Sequence, residues 1–204
     1  MNQQQRREFL IRELLQENPA FRRQPIPSDE TRQKMLLRTL MNLRRPGPVS
    51  QQFLEVQDAY LQKELASKGI TRLADLSPVR NGLYLWRGDI TTLACGAIVN
   101  AANSGMTGCY HPCHNCIDNC IHTFAGIQLR LACNELMEKQ GKPEATGLCK
   151  ITPAFNLPST YVLHTVGPII RTAVGPLDKV LLSTRYKNRL QQASENAPKS
   201  VAFC

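Results

Sequence analysis

Apolar residues recur at helical spacing through the first third of the chain and change to strand-like runs beyond residue 82. Leu10, Ile11, Leu14 and Leu15 form one stripe, closed by Asn18-Pro19. Met35, Leu36, Leu40 and Leu43 form a second. Ser28 is its expected N-cap, Asp29 and Glu30 fall in the first turn where the helix dipole favours acids, and Arg45-Pro46-Gly47-Pro48 breaks it. Phe53, Val56, Tyr60, Leu61 and Leu65 make a third face, stopped at Lys68-Gly69. Residues 1–75 are therefore expected to be a mildly basic, amphipathic helical extension that carries no chemistry of its own.

From residue 76 onward the expected elements alternate. Leu83 to Trp86, Cys95 to Val99, Cys149 to Thr152, Tyr161 to Val166 and Ser200 to Cys204 read as strands. Ile117 to Lys139 reads as one long helix. Residues 179–193 read as a basic helix with Val180, Leu181, Tyr186 and Leu190 inward. Strands alternating with helices predict an α/β layer fold with a mixed, mostly parallel sheet.

Composition narrows the functional classes. The chain has 204 residues, 42% hydrophobic and 20% charged, which is the balance of a folded protein. Its net charge of +9 predisposes it to anionic partners such as phosphates, nucleotides or nucleic acid. Aromatic residues make up only 6% and form no stacking platform, which disfavours a nucleic-acid binder. No run of about 18 apolar residues predicts a membrane span. The polar, basic start has no apolar stretch behind it, so a secretory signal is not expected and a cytoplasmic location is. In that reducing setting the eight cysteines point to metal rather than to disulfides.

The chemistry-bearing residues cluster. Gly88-Asp89-Ile90-Thr91 follows a strand, where Asp89 can cap a turn or meet a ligand. Ala97-Ile98-Val99 runs into Asn100-Ala101-Ala102-Asn103-Ser104-Gly105. Alanines there let a ligand approach the backbone, and the two asparagine amides supply donors and acceptors. Cys109, His111, Cys113, His114 and Cys116 offer five soft or borderline ligands, from which either a closed four-ligand zinc site or an open three-ligand site can be drawn. Asp118 begins the long helix, as an N-cap or as a carboxylate beside a metal and a phosphate-binding helix start. His122 and His164 read as core histidines.

These motifs together resemble the macrodomain family, α/β/α modules that bind ADP-ribose. Gly88-Asp89-Ile90-Thr91, Ala97 to Asn103, Ile117-Asp118-Asn119-Cys120-Ile121-His122, Ala125-Gly126 and His164-Thr165-Val166-Gly167-Pro168 carry the likeness over about residues 82–204. A metal-ligand cluster stands where most hydrolytic members have a glycine-rich loop. That is similar to the zinc-dependent bacterial and fungal subgroup, which also has an N-terminal helical extension. The resemblance implies a three-layer α/β/α macrodomain over 76–204 and hydrolysis of ADP-ribose from modified protein side chains, particularly acidic ones. It implies Zn2+ on Cys109, His114 and Cys116, leaving His111, Cys113 and Cys120 as bystanders.

By the same likeness Asp89 accepts from the adenine amino group, with the Ile90 backbone beside it. Asn103 holds the distal ribose, Ile117 and the helix start face the diphosphate, and Asp118 positions or deprotonates the attacking water. Macrodomains continue beyond the strand matching Ser200 to Cys204 into a second glycine-rich loop. The expectation here is a chain truncated before that loop, with weaker affinity for ADP-ribose. The expected partners are ADP-ribose and an ADP-ribosylated protein, with the chain a monomer.

Overall fold

A computed structural model of the chain describes residues 1–167, Gly175, Val180 and 198–204. Apart from Val180, the basic helix expected over 179–193 lies outside the described residues, as does Pro168 of the fourth strand's motif.

Three helices open the chain: α1 (Gln3–Glu17), α2 (Glu30–Leu43) and α3 (Gln51–Lys68). Asn2 and Gln5 cap α1 reciprocally, each backbone N–H donating 2.9 Å to the other's side chain. Asp29, rather than Ser28, caps α2, its Oδ1 accepting the Arg32 N–H at 2.8 Å. Both residues are good caps, and a carboxylate makes the stronger, charge-assisted bond. Ser50 caps α3, and Gly69 ends it at φ +85°. Leu10, Ile11, Leu14 and Leu15 pack with Leu37, Leu40, Phe53 and Leu61 in one apolar cluster, joined by Ile127 from farther along the chain.

Short elements follow. β1 (Thr71–Arg72) pairs in parallel with β4 (Leu93–Ala94), and β2 (Pro78–Arg80) pairs antiparallel with β3 (Leu83–Tyr84). The strand expected through Trp86 ends at Tyr84, and Leu85 is exposed. Among the described residues its partner is a three-residue strand that begins with a proline, and the short ladder leaves the apolar run exposed there.

The main sheet has the order β6 (Cys149–Pro153), β7 (Tyr161–Val166), β5 (Ala97–Ala102), β8 (Val201–Ala202). β5 runs parallel to both β7 and β8, whereas β6 runs antiparallel to β7. The sheet is thus mixed and mostly parallel, as expected for an α/β macrodomain. Ile98 and Val162 on one face pack under Ile121, Ala125, Leu129 and Cys133 of the helices above, while Ala97, Val99 and Leu163 fill the other face.

The single helix expected over Ile117 to Lys139 is two, α4 (Ile117–Ala125) and α5 (Ile127–Gln140), divided at Gly126. Gly126 sits at φ +94° and ψ 172°, a conformation reserved for glycine. An added Cβ there would meet Gln128 Oε1 at 2.6 Å and Gln57 Nε2 at 2.7 Å. The apolar periodicity continues across the break because both helices lie on the same sheet, which conceals the change of axis. Among the described residues no helix is long and apolar enough to cross a membrane.

Candidate functional site

The site forms where β5 ends. Parallel register sets Asn100 beside His164 of β7, and both are fully buried. Nδ2 of Asn100 donates to Oδ1 of Asp118 at 2.8 Å and lies 3.1 Å from Nδ1 of His164. An amide nitrogen only donates, so that imidazole nitrogen accepts, and Nε2 carries the hydrogen toward Thr152 Oγ1 at 2.9 Å. Burial holds His164 neutral, lowering its pKa to about 4.

Asp118 lies inside the first turn of α4 and does not cap it; Cys116 does, with Sγ accepting from Asn119 N–H at 3.4 Å. Starting the helix at Ile117 turns Asp118 inward, against Asn100 and toward Asn103, whose Nδ2 donates to Oδ2 at 3.3 Å. Burial raises the Asp118 pKa, while the Asn100 bond, the Arg130 charge and the Asn103 bond oppose the rise. Below it, His122 Nε2 stands 3.6 Å from Asp118 Oδ1, and neither ring nitrogen of His122 has a hydrogen-bond partner among the described residues. Burial and the neighbouring His164 and Arg130 keep His122 well below its usual pKa.

Asn103 is folded into the loop after β5. Its Nδ2 also donates to Gly108 O at 3.1 Å, and its Oδ1 accepts from Gly105 N–H at 2.9 Å. The loop then delivers Cys109, His114 and Cys116, whose ligand atoms lie within 4.8 Å of one another. Cys109 Sγ and His114 Nδ1 are 3.8 Å apart. For two ligands on one tetrahedral zinc the expected separation is about 3.5 Å, so this donor set suits the metal. Three protein ligands with a fourth position open is the arrangement of catalytic sites. The other candidates turn elsewhere. Cys113 Sγ lies 3.3 Å from Thr39 Oγ1, Cys120 Sγ accepts from Arg38, and His111 stacks edge-on against His114.

Asn103, Cys109, Tyr110, His114, Cys116 and Asp118 line one open cleft of about 610 Å³, floored by Ala101, Ala102 and Gly108. Asp89 and Ile90 do not border it. Asp89 caps the turn Ile90–Thr92, accepting from Thr91 N–H at 3.0 Å and Thr91 Oγ1 at 2.6 Å, and it pairs with Lys68 of α3 at 3.4 Å. Burial works against its charge, but the Thr91 bonds and Lys68 outweigh it and lower the pKa. Ile90 and Ile117 pack against the core beneath α4.

A second group of soft ligands, His122, Cys133 and His164, is entirely buried. Both His164 nitrogens are engaged by Asn100 and Thr152, and burial pushes the Cys133 thiol up to about 12. It is a packed core cluster.

Sequence reasoning missed the residues that surround the site from outside it. Arg130, buried on α5, donates to the carbonyls of Met41 and Asn42 at the end of α2 and lies 4.4 Å from the Tyr110 ring centroid. Arg38, Asn42 and Asn119 make further bonds to the loop that carries Cys109 and His114. No local signal identifies Arg38, Asn42 or Arg130, because their partners lie tens of residues away. Asn119 showed only as part of a motif.

A family model described as Macro domain matches residues 99–204. A protein-ADP-ribose hydrolase of Treponema medium is 59% identical over 208 residues, taking in 100% of this chain and 80% of that protein. One of the same name from Staphylococcus aureus (strain MRSA252) is 43% identical, over 98% of this chain and 75% of that one. The Trypanosoma brucei macrodomain in complex with ADP is 28% identical with a TM-score of 0.59, covering 83% of this chain and 73% of that one.

Proposed function

The chain belongs to the Macro domain family, and from that premise we propose that it is a zinc-dependent hydrolase freeing ADP-ribose from modified proteins, acidic side chains foremost. Its close relatives named protein-ADP-ribose hydrolase support the hydrolase. The observation that carries the finer reading is the convergence of the Asp118 carboxylate and the Cys109, His114 and Cys116 ligand set on one cleft.

The reaction adds water across the bond joining the distal ribose to a protein carboxylate, giving ADP-ribose and the free acid. Asp118 is the group that holds or takes the water's proton. Asn100 and Asn103 fix its two oxygens, and its burial makes it a better proton acceptor than a solvated aspartate. Asn103 stands at the cleft wall where the distal ribose would bind. The Ile117 and Asp118 amides precede the first internal bond of α4, and a helix start of this kind suits a diphosphate. Asp89 would meet the adenine at the far end of the ligand, its carboxylate already oriented by Thr91. Cys109, His114 and Cys116 would hold the zinc ion, whose chemistry when bound is that of a Lewis acid toward a ribose oxygen or a water.

The test is release of ADP-ribose from an aspartate- or glutamate-modified protein, with and without a chelator. Chelator-sensitive release that disappears in Asp118→Ala is expected, together with loss of bound zinc and of turnover in Cys116→Ala. Binding of ADP-ribose without release would make the chain a reader of the modification instead. A Cys116→Ala protein with full zinc content would disprove the ligand set.

A further inference from the structure

We infer that the N-terminal helices are a working part of this site: Arg38 of α2, acting with Asn119 of α4, is a positioning residue that sets the relative placement of the three zinc ligands. The inference rests on the reading that Cys109, His114 and Cys116 hold the metal.

The residues 103–116 form a loop with no strand or helix of their own, so nothing regular fixes the distance between Cys109 and His114. What fixes it is a knot of two side chains. Asn119 is fully buried, and its Nδ2 donates to the carbonyl of Cys109 at 3.3 Å and to that of His111 at 3.0 Å. Its backbone N–H is the one that Cys116 Sγ caps. Arg38 Nη2 donates to the carbonyl of His114 at 2.8 Å and to Asn119 Oδ1 at 3.1 Å, with Cys120 Sγ at 3.6 Å. Each of the three ligands is therefore one contact away from the Arg38–Asn119 pair.

Two neighbours on α2 strengthen the brace. Asn42 Oδ1 accepts the N–H of Cys113 at 2.9 Å, where the loop turns at φ +52°, and its Nδ2 donates to Thr123 Oγ1 at 2.9 Å. Thr39 lies against the Cys113 sulfur. A guanidinium is a costly way merely to pack α2 on α4, since Arg38 Nε is buried there without a partner among the described residues. One nitrogen, Nη2, joins both acceptors, His114 O and Asn119 Oδ1, and the guanidinium plane fixes the directions of its two N–H groups, which the freely rotating ammonium of a lysine does not.

Outer contacts that orient ligands are generally worth about 10- to 100-fold in metal affinity. The full chain carrying Arg38→Met is compared with wild type by zinc competition against a chromogenic chelator and by the absorption spectrum of the cobalt-substituted protein. Zinc affinity is expected to fall by roughly 10- to 100-fold, with altered cobalt ligand-field bands. Arg38→Lys restores one donor direction and is expected to lie between the two, and it carries the test if Arg38→Met does not fold. A purely structural arginine would lower thermal stability and leave both metal readouts unmoved, and that result overturns the inference. A wild-type chain that takes up no zinc overturns the ligand assignment and this inference with it, whereas zinc binding equal in all three proteins overturns this inference alone.

Discussion

Gly108 separates two costs that usually come together. It sits at φ +86°, and a Cβ built there would lie 2.7 Å from His122 Cγ, 2.9 Å from Cδ2 and 3.1 Å from Nδ1. Gly69 has nearly the same φ, +85°, and among the described residues nothing lies within 4 Å of a Cβ built there. Alanine at either position bears the strain of a positive φ, about 1–3 kcal/mol. At Gly108 it must also displace a buried ring, and overpacking of that kind costs about 1–3 kcal/mol more. For a chain of this length each kcal/mol is worth about 2–4 °C in melting temperature. Gly69→Ala should thus lose about 4 °C, and Gly108→Ala about 10 °C. The displaced ring stands under Asp118, and the Gly108 carbonyl holds Asn103. Gly108→Ala should therefore also slow ADP-ribose release by at least about tenfold, a misplacement effect on the reacting groups, while Gly69→Ala leaves it unchanged. Differential scanning fluorimetry and a release assay on the two variants decide it. Equal melting temperatures would refute the packing of His122 on the Gly108 backbone.

Three other outcomes follow from the buried titratable groups. Because burial raises the Asp118 pKa, its favourable contribution is complete below the unfolded value near 3.8 and is lost as pH rises through the folded one. Asp118→Asn should therefore abolish release and remove this share of the pH dependence, as thermal melts at pH 4 and pH 7 will show. His164 runs the other way. Its folded pKa of about 4 lies below the ordinary 6.5, so stability is full above 6.5 and lost as pH falls toward 4, by roughly 3 kcal/mol. Urea unfolding at pH 7 and pH 4.5 should register that loss together with one of the same sign from His122, and His164→Asn should remove only its own share. Arg130→Met strips the donors from the carbonyls of Met41 and Asn42 and should cost about 2–4 kcal/mol in urea unfolding.

The local patterns were legible in the sequence. The Leu10, Ile11, Leu14, Leu15 stripe and the Tyr161–Val166 strand stand where apolar spacing put them. His122 and His164 are buried, as core histidines were expected to be, whereas the grouping of Asn103, Asp118 and the cysteine loop at the end of β5 was implied by the family resemblance and not by spacing. Two kinds of feature were not. One was change of direction without change of pattern: Gly126 signalled the break between α4 and α5, but the apolar period ran straight through it. The other was contact across the chain. Arg38, Asn42 and Arg130 look like ordinary helix-surface residues, and only the docking of α2 against α4 and α5 gives them partners. Asn100 falls between. The strand pleat places it on the inward face with Ile98 and Ala102, but its task of holding Asp118 needs the register with α4.

Ile127 and Leu129 are two residues apart on α5, yet Ile127 is buried in the cluster of the first three helices and Leu129 in the layer above the sheet. The Ile127 N–H is bonded to Gln57 of α3 as well, at 2.9 Å. One helix is thus shared between two cores, and neither can open without exposing the other. The chain should melt in a single transition, and a protease that nicks the exposed Pro78–Tyr84 hairpin should leave the two pieces associated rather than release a separate helical fragment.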